Sequence, residues 1–147
     1  MKYTEIKTFE DACKAQNLDA TKVIPDFSYF PEQDRQAMIN HAKLVIIHNA
    51  IRGDWTPDWN DSSQYKYYPY FKMGSSFGFN DCHNWYAYSG VSSRFALKNK
   101  DQVKHVVKYF EELFKEYFII NKQPLELTIV EIAEKFGVSA EQIKIKK

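Results

Sequence analysis

A chain of 147 residues is long enough for one domain that buries roughly two thirds of its unfolded surface without disulfides or a structural metal. Its formal net charge of +1 is spread along the chain with no strongly polarised section, so charge alone names no partner. Cys13 and Cys82 have neither a CxxC spacing nor a paired framework; they read as free thiols of an intracellular protein. The N-terminus shows no apolar signal core, and the longest aliphatic run, Leu44 to Ile47, is far below membrane-spanning length, which predicts no membrane partner.

In chain order, Thr8 is an N-cap followed by first-turn acids, and Phe9, Ala12 and Cys13 share a face. This predicts a short helix over about 8–16. Val23 to Phe27 is extended, because the residue before Pro25 avoids the helical region. Pro31, Glu32 and Asp34 open a helix to about Ile51, with Met38, Ala42, Val45 and Ile46 on one side and Ile39, Ile47, Ala50 and Ile51 widening the stripe. So wide a stripe predicts a central, heavily buried helix ended by Gly53.

Trp55 to Ser63 then reads as a rigid aromatic loop and Tyr65 to Lys72 as a strand, with Pro69 pushing that strand toward an edge or a bulge. After a turn at Gly74-Ser75, Phe77 and Phe79 share one strand face; Val91, Phe95 and Leu97 alternate with Ser92, Arg94 and Lys98 as a third strand. Asn99 caps a helix over 101–118, with Gln102 placed to reach back to it and Val103, Val106, Val107, Phe110, Leu113, Phe114 and Tyr117 forming its apolar face. A short helix over 128–136, ended by Gly137, closes the chain. The expected fold is α+β, one domain over 1–147. A small antiparallel three-stranded meander packs against the 32–51 and 101–118 helices, with 1–127 as the core and 128–147 as a helical appendage.

Thirteen of the 24 aromatic residues lie in the 41 positions from Trp55 to Phe95. Rings with nearby cations resemble a stacking platform for single-stranded nucleic acid, but Lys66, Lys72 and Arg94 are balanced there by Asp58, Asp61 and Asp81, whereas phosphate binding needs a basic face. The alternation puts Phe71, Phe77, Phe79 and Phe95 toward the core. It puts Lys66, Tyr68, Tyr70 and Lys72 on the outer face beside a loop that Trp55 and Trp59 pin or present.

Residues 128–139 resemble the first helix and turn of a helix-turn-helix, but only four residues follow Ile143, too few for a recognition helix. His41 and His48 share a helical face about 10 Å apart, too far to ligate one metal together. Asp81-Cys82-His83 holds nucleophile, base and acid types, yet neighbours on an extended chain point to opposite sides. With neither GxxxxGK nor GxGxxG present, no catalytic residue, metal or cofactor is assigned.

The Trp55-Thr56-Pro57-Asp58-Trp59 loop, Lys66-Tyr67-Tyr68-Pro69-Tyr70-Phe71, Phe77-Gly78-Phe79 and Ser93-Arg94-Phe95 together resemble a family of short proteins of bacteriophages and integrated prophages of gut bacteria. The resemblance runs from about Phe9 through Phe118. It implies a phage or mobile-element accessory or assembly protein, in the host cytoplasm or on a virion, and transfers no catalytic residue. The expected function is a non-enzymatic interaction module. Trp55, Trp59, Lys66, Tyr68, Tyr70, Lys72 and Arg94 would form its surface for a protein partner or a second copy. The alternatives are a nucleic-acid-binding accessory protein using the same residues and an enzyme centred on Cys82 and His83.

Overall fold

The computed structural model describes residues 1–74 and 76–120, and residues 129, 130, 133, 137–139 and 141 of the C-terminal segment. A 3-10 turn over Tyr3–Glu5 precedes α1 (Phe9–Ala15), α2 (Glu32–Arg52), β1 (Lys66–Lys72), β2 (Gly78–Trp85), α3 (Ser92–Phe95) and α4 (Lys100–Phe118). The fold is α+β. No helix among the described residues is long and apolar enough to cross a membrane. The expected helix over 128–136 falls mostly outside the described residues. At its end Gly137 has φ +64° and the Val138 N–H donates to the Ala133 carbonyl at 3.0 Å, a glycine-closed helix terminus.

Thr8 and Asp11 close a reciprocal capping box at the start of α1. Asn99 caps α4, its Oδ1 accepting from the Gln102 N–H at 2.9 Å. Gln102 does not reach back to Asn99 as expected. It is buried, and its Oε1 accepts from the Lys98 N–H at 2.9 Å while its Nε2 donates to the Ile51 carbonyl at 2.8 Å. One amide thus satisfies a carbonyl in the last turn of α2 and ties it to the first turn of α4.

α4 is the central element: it packs on α2 and on both strands, whereas the principal contacts of α2 are with α4 and α1. The expectation that both long helices lie on the sheet is corrected. A two-stranded ribbon has room for one helix, and Phe114 of α4 spans the two layers, its ring centroid 4.9 Å from Phe71 and 5.7 Å from His48. The buried line of α2 is Asn40, Leu44, Ile47, His48 and Ile51; it keeps Ile47 and Ile51 from the edge of the expected stripe and is rotated away from Met38, Ala42, Val45 and Ile46. Two polar residues lie inside that line, so an apolar count places it wrongly. Asn40 is satisfied by Glu116 at 2.6 Å and by Gln36 at 3.0 Å.

β1 and β2 pair antiparallel, Lys66 opposite Trp85, Tyr68 opposite His83 and Tyr70 opposite Asp81. Among the described residues the sheet has two strands, so the three-stranded meander is corrected. Residues 92–95 form α3, entered through Ser92 at φ +63°, and only Leu97 then bridges Tyr67. Val91 and Phe95 are four apart, a spacing that one helical turn satisfies as well as a strand does.

Tyr67 exchanges both backbone bonds with Leu97, at 3.0 and 2.8 Å. Its polar groups therefore point away from β2, and so would the missing donor of Pro69 two residues on. The proline costs no bond in the β1–β2 ladder. The ladder shifts register between Tyr70 and Phe71, leaving Asn80 unpaired. That bulge turns Phe79 as well as Cys82 toward the core. On the far edge of β2, Asp81 Oδ1 accepts from the Cys82 N–H at 2.7 Å and Glu111 Oε1 from the Phe79 N–H at 2.8 Å. These carboxylates occupy donors that a further strand would need.

Gln102→Ala removes one amide and strands the Ile51 carbonyl and the Lys98 N–H. We expect it to lower unfolding free energy by about 2–4 kcal/mol, measured by urea denaturation. A loss below about 0.5 kcal/mol would contradict the assigned role.

Candidate interaction surface

The outer face of the hairpin carries Lys66, Tyr68 and Tyr70 from β1 against Trp85, His83 and Asp81 from β2. One end of it is covered. Lys66 is 1% exposed; its Nζ donates to the Asp61 carbonyl at 2.9 Å and lies 5.5 Å from the Trp59 ring centroid. Among the described residues no carboxylate is within ion-pair distance of it. Carbonyl and ring quadrupole together replace its lost hydration. Trp59 Nε1 donates to Ser93 Oγ at 2.6 Å, and Arg52 donates to the Ser93 carbonyl and to Asn49 Oδ1. Within the loop, Asp61 holds the Ser63 N–H at 2.8 Å and the Ser63 hydroxyl at 2.6 Å, bonds that keep its carboxyl below the usual range. The Trp55–Ser63 loop is therefore pinned onto the hairpin.

The other end is open. Tyr70 and His83 stack diagonally at 4.1 Å and 11°, and Trp85 donates its indole N–H to the Tyr68 hydroxyl. Tyr70 is 49% and Trp85 47% exposed, whereas Tyr68 is buried at 9%. Just past the ladder, Tyr65 and Tyr86 pack at 4.7 Å with hydroxyls 2.8 Å apart, a bond that pushes the Tyr86 phenol up. Both are exposed, as is Tyr88.

Of the residues expected to form the surface, Trp59 and Lys66 meet and are packed, with Trp59 and Trp55 half-buried. Trp55 lines a separate cleft of about 480 Å³ between the ends of α1 and α2. Arg94 is exposed and follows Ser93, so it lies at the covered end. Tyr70 and Lys72 are the exposed members on β1. His83 and Trp85 complete the open end, and Tyr65 and Tyr86 lie beyond it. Their signal in the sequence is the alternation of β2, which shows its partners only once the register is known.

Cys82 and His83 point to opposite faces. The thiol is buried at the core, where burial first and Asp81 second push it up, and the imidazole lies under Tyr70. Between His41 and His48, the Phe95 ring packs against both imidazoles at 5.3 and 4.9 Å. No group of three or more metal-ligating side chains occurs among the described residues. His48 Nδ1 is 2.7 Å from the Leu44 carbonyl, which can only accept, so that nitrogen carries the proton; Nε2 has no partner. Burial, with a smaller contribution from Arg52, lowers its pKa to about 4. Burial and the charge of Arg94 also lower that of His41.

Two tests follow from this geometry. Trp59→Ala should cost about 2–3 kcal/mol, while Lys66→Met, which keeps an apolar stem and removes the buried charge, should be no less stable than wild type. An equal loss in Lys66→Met by urea denaturation would contradict this and mean that the ammonium, through the Asp61 carbonyl, holds the loop as much as the indole does. For His48, the folded pKa lies below the ordinary 6.5, so its contribution is complete above pH 6.5 and is lost as pH falls toward about 4. By pH 4 the loss should approach about 3 kcal/mol. His48→Leu should flatten the stability curve in that window and leave the carboxylate-driven fall at lower pH unchanged. Comparison of the chain with protein-family models, curated proteins and solved structures gave no match.

Proposed function

We propose that the protein is a non-enzymatic interaction module that contacts a protein partner through the open end of the hairpin's outer face, centred on Tyr70, His83 and Trp85. The observation that carries the reading is the pairing of rigidity with exposure. Tyr70 is half exposed yet held in a stack with His83, and Trp85 is half exposed yet held by its bond to Tyr68. Ordered aromatic rings lose little conformational entropy on association, which is why Tyr and Trp dominate binding hot spots. The pinned Trp loop supports the same reading by covering Lys66 and leaving this end bare.

Asp81 stands opposite Tyr70 on this face and is exposed. A carboxylate there disfavours a phosphate backbone beside the stack, so protein contact ranks above nucleic-acid contact for this surface. The phage or mobile-element accessory role suggested by the family resemblance fits a small module of this kind.

The test compares wild type with a Tyr70→Ser/Trp85→Ser variant whose circular dichroism is unchanged. A specific protein retained from host lysate by wild type should be lost by the variant, with a contact worth about 2 kcal/mol or more in its Kd. Identical retention by both proteins would overturn the reading. Light scattering across a concentration series separates a second copy from a different partner.

A further inference from the structure

The chain leaves α2 through Gly53, at φ +59°, and the Trp55 N–H closes a turn on the Arg52 carbonyl at 3.3 Å. That reversal brings Asp54 and Trp55 back beside the last turn of α2. There, with Arg52, Asn49 and Gln16, they line the cleft of about 480 Å³ at the end of α1. Clefts that hold small molecules run from about 300 to 1,000 Å³.

The walls are fixed by their own bonds. Gln16 Nε2 donates to the carbonyls of Ala12 and Ile46, each at 2.9 Å, and so ties α1 to α2. Both partners can only accept, so the nitrogen is committed and the group Gln16 has left is Oε1, an acceptor. Arg52 is held by the Ser93 carbonyl and by Asn49 Oδ1, which leaves the guanidinium with unused donors and Asn49 with its amide N–H groups. Trp55, half-buried, adds an aromatic wall.

Two opposite charges line this cleft without meeting. The ion pairs among the described residues are Lys22–Asp19 and Lys115–Glu112, so Arg52 and Asp54 are paired neither with each other nor with another side chain there. A bound anion would be repelled by Asp54 and a bound cation by Arg52. A neutral molecule would desolvate both charges and compensate neither. A zwitterion compensates both, and its cationic end also gains from the C-terminus of α2.

We propose that the cleft binds a free α-amino acid with an apolar side chain. The ligand carboxylate accepts from the unused Arg52 donors and the Asn49 amide, the ammonium donates to Asp54 and Gln16 Oε1, and the side chain lies against the Trp55 ring. The site is separate from the Tyr70–Trp85 surface and does not rest on its role.

Nitrogen-15 NMR titration of the full chain with L-leucine and with L-phenylalanine tests it. Saturable shifts of the Gly53 and Asp54 amides, the Trp55 indole N–H and the Arg52 Nε–H are expected with at least one of them. The N-acetyl form of that amino acid, which lacks the ammonium, and its amide form, which lacks the carboxylate, should each bind about tenfold or more weakly. Asp54→Asn, at an exposed position, should weaken the free amino acid by a similar factor and leave the N-acetyl form unaffected, a difference that general damage to the fold would not produce. No saturable shift with either amino acid, an N-acetyl form bound as tightly as the free one, or affinity unchanged in Asp54→Asn would overturn the proposal.

Discussion

A lysine ammonium with 1% exposure and, among the described residues, no carboxylate beside it sets the terms for one side of this molecule. Lys66 lies on the outer face of β1, where a lysine would ordinarily reach water. Here it is desolvated by the Trp59 ring and the Asp61 carbonyl. The cost of removing the charge from water is met only while both remain in place. The loop that supplies them is accordingly closed by its own Asp–Ser turns and fastened through Ser93 to Arg52 and α2. The Trp59 loop that covers this charge thus links the hairpin to α3 and the end of α2.

That linkage divides the outer face. Where the loop lies, the rings serve the fold; where it ends, Tyr70, His83 and Trp85 are ordered by one another and remain at the surface. The opposite face answers to α4, whose Phe114 meets both Phe71 and His48. Gln102 ties the start of the same helix to the end of α2. Strands and helices share one core through α4, which lets the β1–β2 ribbon persist.

Polar groups inside this core are handled unequally. Asn40 and Gln102 are bonded to partners distant in sequence, whereas His48 bonds only its own helix and keeps a bare Nε2 against aromatic rings. Such an imidazole must stay neutral for the core to remain intact. At the sheet margin, carboxylates of Asp81 and Glu111 occupy outward amides of β2. Two of the donors through which a further strand would pair with that edge are thereby already used.

The α+β class, the short helix α1, the two long helices and the β1 strand were legible because each rests on local periodicity or capping chemistry, as at Thr8 for α1, Asn99 for α4 and Gly53 for the end of α2. The alternation of Lys66, Tyr68, Tyr70 and Lys72 away from the core was legible for the same reason: side chains on a strand have a period of two. What covers that face was not. The contact of Lys66 with Trp59, the stack of Tyr70 on His83 and the meeting of Arg52 with the Ser93–Arg94 segment join residues far apart in sequence, and no local pattern encodes their distance. The same limit rotated the buried line of α2 onto Asn40 and His48, which are polar in isolation and buried only because α4 supplies their surroundings. It also turned the expected third strand into α3, since Val91 and Phe95 satisfy either geometry until Leu97 meets Tyr67. Sequence determined which surfaces each element has. Tertiary packing decided which of them face water, because exposure depends on what lies opposite and not on the residue itself.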